Sequence, residues 1–143
     1  MDDTTLRMMQ MGGKGYSCAQ IMILMALDSD GRSNPELVRS VGGLAYGCGS
    51  GRGTCGALTG GCCVIALFAG KGSDEETESE RMIVMLQELS DWFFGRVAEY
   101  GGGTCEIITG EEGPASSRQR CGAIVAETYG KAMEILMSNG LAA

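Results

Sequence analysis

Seven cysteines and no histidine in 143 residues set the chemistry open to this chain. The thiols are Cys18, Cys48, Cys55, Cys62, Cys63, Cys105 and Cys121. Without imidazole there is no Ser-His-Asp or Cys-His nucleophile, no histidine metal ligand and no CxxCH haem attachment. The opening MDDTTLRMMQMGGKG is acidic and lacks an apolar signal core, so the cytoplasm is the expected location. Thiols are kept reduced there, and an odd cysteine count argues further against a structural disulfide framework. Redox chemistry or metal binding is the natural expectation.

Local context separates the thiols. Cys18 follows Gly-Tyr-Ser at the start of an apolar run, and Cys55 follows Gly-Arg-Gly-Thr at the start of another. Cys121 follows Arg-Gln-Arg in the opening turns of the last helical pattern. Cys105, after Gly101-Gly102-Gly103-Thr104, opens a short segment whose pattern leaves its structure open. Helix starts offer unpaired N–H groups and a positive dipole end, which favour a thiolate and draw a cysteine pKa down towards neutrality. Cys62 and Cys63 precede VIALF in mid-helix and read first as small buried apolar side chains. Cys48 divides evenly between the two readings, and these three are the secondary candidates.

The elements that must position these thiols read as helices. Residues 3–11 form a Met-rich amphipathic segment stopped by Gly12-Gly13, and Tyr16 to Leu27 is apolar nearly all round. Asn34-Pro35-Glu36 supplies an N-cap, a proline at the first helical position and an acid in the first turn of a helix ending near Val41. Cys55 to Ala69 is a further apolar helix, whose interior Gly60 and Gly61 imply close backbone contact with a neighbour. Asp74 to Tyr100 carries Met82, Met85, Leu86, Leu89, Trp92, Phe93 and Val97 at helical spacing behind an acidic opening. Ser116-Ser117 is placed to cap a last helix to about Met137, with Ile124, Val125, Tyr129, Met133 and Leu136 on its inner face. The expected fold is a single all-α domain over 1–143, a bundle-like packing of five or six helices, with no repeat of fixed period.

Several functions are disfavoured. A net charge of −7 with basic residues grouped only at Arg118, Arg120 and Arg52 argues against nucleic acid. Gly51-Arg52-Gly53-Thr54-Cys55-Gly56 fits GxGxxG, yet no strand precedes it and no βαβ unit surrounds it, so no nucleotide is expected. The uncharged stretch from Gly53 to Gly70 is interrupted by Gly, Thr and Cys, which suits a buried helix and not a membrane span. Met8, Met9, Met11, Met22 and Met25 could serve a soft metal-ion carrier, but at helical spacing they read first as core.

Ser17-Cys18-Ala19-Gln20, then Cys55-Gly56-Ala57-Leu58-Thr59-Gly60, then Cys105 and Cys121 resemble the C_GCAxxG_C_C family of redox-active proteins. Four thiols occur in that order, Gly56, Ala57 and Gly60 supply the motif, and the second thiol reads CGAxxG where the family name is written GCAxxG. The resemblance implies a small single domain of about this length, mostly from anaerobic bacteria and archaea, with a redox-active or metal-binding cysteine centre. A related domain occurs in split-Soret cytochromes beside a non-haem iron centre. Their haem function does not transfer, because CxxCH is missing here.

On this resemblance the site residues are Cys18, Cys55, Cys105 and Cys121, serving an oxidoreductase or electron-transfer protein. Thiol–disulfide cycling is the leading chemistry, with the redox partner open. The alternative is an iron–sulfur cluster, or zinc, on the same four thiolates. Apolar faces on the Met-rich first helix make a homodimer a further expectation.

Overall fold

Helix α4 (Gly56–Ala69) is the element around which the other helices are arranged. The computed structural model describes residues 2–110 and 118–142. It places α1 at Asp3–Gly13, α2 at Cys18–Ser29, α3 at Pro35–Val41, α5 at Met82–Arg96, α6 at Cys105–Thr109 and α7 at Arg118–Ser138. Helix α4 packs on α2, α5 and α7, and Val64 and Ile65 are fully buried in it. The fold is all-α, and among the described residues it adds to the expected helices the five-residue α6 and a single helical turn at Ala45–Cys48.

Small residues give α4 this place. A Cβ on Gly60 would lie 2.8 Å from Ala19 Cα, and one on Gly61 would lie 3.0 Å from Leu89 Cδ2 and 3.3 Å from Thr128 Cγ2. Successive glycines therefore let α2 approach one side of the helix and α5 with α7 another. Met22, Leu89, Phe93, Ile124 and Leu136 fill the shared core.

Local signals set most helix ends. Asn34 accepts the Leu37 N–H at 3.1 Å ahead of Pro35, as its sequence implies. Helix α1 takes in Gly12 and Gly13 and ends at Gly13, two residues beyond the expected segment. The largest departure is Asp74–Arg81, which is turn and irregular chain where a helix was expected. Acids at 74, 75, 76, 78 and 80 repel one another at helical spacing, and the stretch has no apolar face to bury. The segment instead folds back on the end of α4, where Ser79 N–H donates to Ala69 O at 2.8 Å. The proposed cap at Ser116-Ser117 lies outside the described residues.

Candidate functional site

The motif at Cys18 is a helix cap. Ser17 is the N-cap of α2 and forms a capping box with Gln20, whose Oε1 accepts the Ser17 N–H at 3.0 Å. Gln20 Nε2 also donates to Val38 O at 3.2 Å, tying this end of α2 to α3. Cys18 thereby becomes the first residue of a helix whose start is held from both sides.

Cys55 and Cys105 are positioned by a different device. Thr54 and Thr104 form an isolated antiparallel bridge, with Cys55 N–H donating to Gly103 O at 2.8 Å and Cys105 N–H to Gly53 O at 3.1 Å. Glu106 N–H donates to Gly51 O at 2.8 Å and extends the pairing. Each segment then turns into a helix: Cys55 is the N-cap of α4, and Thr104, accepting the Ile107 N–H at 3.2 Å, is the N-cap of α6. The two segments repeat a pattern, GTCGALTG at 53–60 and GTCEIITG at 103–110. Thr59 and Thr109 even return the same bond, each hydroxyl donating to the carbonyl of its cysteine, at 3.5 and 2.9 Å.

The glycine loop before Cys55 closes this arrangement. Tyr46, Gly47 and Cys48 all take left-handed backbone angles, with φ of 54, 61 and 58 degrees. At Gly47 a Cβ would meet Gly53 O at 2.7 Å and Cys105 Cβ at 3.1 Å, so only glycine fits between the bridge and the loop. Cys121 is brought in by α7. Its neighbour Arg120 donates to Ile108 O, at 2.6 Å, and lies over the Tyr100 ring at 5.0 Å, which fixes the first turn of α7 against α6.

Cys18, Cys55, Cys105 and Cys121 all line one cavity of about 1150 Å³, bounded by α1, α2, α6, α7 and the start of α4. Cys48, Cys62 and Cys63 do not line it: Cys48 is exposed, and the other two are half-buried along α4. Gly56 sets the spacing of the first pair. A Cβ there would lie 3.2 Å from Cys18 Cβ and 3.1 Å from Ala19 N, so α4 begins in contact with the start of α2. Of the methionines considered as soft ligands, Met8, Met11, Met22 and Met25 are in the core and Met9 is exposed at the cavity.

Burial reverses the acidity expected from helix starts. Loss of hydration, and after it the neighbouring Cys55, Cys121 and Cys105 sulfurs, together push the Cys18 thiol up to about 12. Burial holds the Cys55 thiol up at about 11 even against the Ala57 and Leu58 N–H groups at the start of α4, which act to lower it. Cys105 is raised by burial and then by Cys121 and Glu106. Desolvation and mutual repulsion thus outweigh the helix ends at Cys18, Cys55 and Cys105, and these three thiols hold their protons at neutral pH.

Among the described residues, no three Cys, Asp or Glu side chains come close enough together to hold a single metal ion. Four thiols from four separate elements around a roomy cavity can instead undergo two-electron chemistry in pairs, or surround a larger group.

A model of the family described as "Putative redox-active protein (C_GCAxxG_C_C)" matches residues 16–135. The chain belongs to this family of four-cysteine, redox-active proteins. No curated protein and no solved structure gives a match. Among the described residues, no helix is long and apolar enough to cross a membrane.

Proposed function

We propose that this chain is a dithiol redox protein in which Cys18 and Cys55 cycle between two thiols and a disulfide, with Cys105 and Cys121 completing the same centre. The observation that carries this reading is the contact between helix starts: Gly56 brings α4 against α2 at Cys18 itself. Oxidation of the pair releases two electrons and two protons as the sulfur–sulfur bond forms. Cys55 is the attacking thiol, because its sulfur receives two amides, those of Ala57 and Leu58, where the Cys18 sulfur receives only its own, and these stabilise the thiolate as it forms. Cys18, the weaker acid, closes the disulfide.

An iron–sulfur cluster on Cys18, Cys55, Cys105 and Cys121 is the second reading, favoured by the convergence of all four thiols on one cavity. When bound, a cluster would supply one-electron transfer. Purification without oxygen, with a visible spectrum, iron, zinc and copper analysis and a thiol titration, separates the two. The dithiol reading expects a colourless protein whose titratable thiols fall by two on mild oxidation, the new bond mapping to Cys18–Cys55. Broad visible absorbance with stoichiometric iron would replace it with the cluster.

A further inference from the structure

The four thiols occupy a small part of the cavity wall, and the rest of that wall has a consistent chemistry. At about 1150 Å³ the space is slightly larger than the usual small-molecule site and far exceeds what a forming disulfide needs. Charged residues make up 20% of the chain, yet no Asp, Glu, Lys or Arg lines the cavity among the described residues. The polar groups present are neutral, including Ser17, Thr109 and Gln119. Among the described residues an ionic ligand would lose its hydration there with no counter-charge to replace it. At the rim stand Met9, Tyr16 and Tyr46, which are 57%, 38% and 59% exposed although large and apolar. Large apolar side chains held in solvent around a concave site are the mark of a surface that a ligand covers, and thioether and phenol side chains suit a flat conjugated ring.

We infer that this cavity binds a neutral, largely apolar quinone-type molecule that exchanges electrons with the thiols lining it. The redox half of this inference rests on the dithiol reading above. Two thiols and one quinone give one disulfide and one hydroquinone; the ring takes both electrons and both protons, so the exchange leaves no net charge behind.

Tetramethyl-1,4-benzoquinone is a suitable probe, because no ring position is open to addition by a thiol. Binding is read with its hydroquinone and the reduced full chain under anaerobic dialysis, where no electrons can be exchanged. One hydroquinone should bind per chain and saturate. Gly122 lies on the cavity wall with open space where a side chain would be, and Gly130, on the same helix, is equally open but away from the cavity. Gly122→Leu should weaken binding at least tenfold, and Gly130→Leu less than twofold. A disulfonated anthraquinone, similar in ring chemistry but doubly charged, should not bind. Absence of saturable binding, or equal effects of the two substitutions, overturns the inference. A second arm mixes reduced protein with the quinone and expects two thiols lost per hydroquinone formed. Binding without thiol loss keeps the cavity's occupant and removes the dithiol reading. Thiol loss to hydrogen peroxide without hydroquinone binding keeps the dithiol reading and removes the occupant.

Discussion

The segments GTCGALTG and GTCEIITG share their ends and differ in the middle, and the middle decides what each cysteine becomes. Both pair through their threonines and both start a helix. After Cys55 come Gly56 and Ala57, small enough for α4 to lie against α2 and continue for 14 residues through the core. After Cys105 come Glu106 and Ile107, both exposed, and α6 stops after 5 residues. Cys55 is in consequence buried at 7% exposure with amides on its sulfur, whereas Cys105 is half-buried beside a carboxylate. One backbone device thus presents two thiols of different reactivity to a single cavity.

Substitution at the thiols tests this contrast most severely. Cys55→Ser should abolish two-thiol oxidation, while Cys105→Ser should leave the Cys18–Cys55 disulfide forming, both read by thiol titration and mass mapping; equal loss from both would break the asymmetry. Exchanging the middles comes next. Gly56→Glu forces a side chain and a charge into the contact with Ala19 and Cys18, and should cost about 3 kcal/mol or more in denaturant unfolding. The reciprocal Glu106→Gly should cost about 1 kcal/mol, the ordinary penalty of helical glycine.

pH separates the thiols by burial. Cys18 and Cys55 are raised above the ordinary value of 9.0, so the unfolded chain releases these protons first. Their contribution to stability is complete below pH 9 and is lost as pH climbs through about 11 to 12. Thermal melts should be level from pH 6 to 8 and fall above 9, and the double variant Cys18→Ala with Cys55→Ala should flatten that fall. In the same range iodoacetamide should label Cys105 ahead of Cys55.

Smaller effects follow at the caps. Thr104→Ala removes the acceptor for the Ile107 N–H and should cost about 1 kcal/mol, whereas Thr54→Ala should cost less, since Cys55 is the N-cap there. Cys63→Ser, away from the cavity, should leave thiol oxidation unchanged.

What the sequence made legible was local. Asn34-Pro35 marks its helix start, and Gly60 and Gly61 announce close approach before the neighbours are known. The Ser17-x-x-Gln20 capping box could also have been read directly, because it is a side-chain pattern within one turn. Helix length failed at Asp74–Arg81, where the periodic residues begin only at Met82 and an acidic approach resembles a helix start without having a face to pack. Thiol acidity failed for a different reason. A helix start is visible in four residues, but the burial that overrides it comes from α1, α2, α6 and α7 together. The cavity was hidden in the same way, and a repeated Gly-Thr-Cys does not by itself reveal that its two copies touch.

The Thr54–Thr104 bridge has a practical consequence for anyone altering this site. Its bonds run between main-chain amides and carbonyls, so they persist whatever side chain stands at 55 or 105. Cysteine replacements here leave the scaffold's ruler intact, and a change in their reactivity can be attributed to sulfur chemistry and not to displaced chain. The amides of Cys55 and Cys105 provide the control: their hydrogen exchange should remain slow in every such variant.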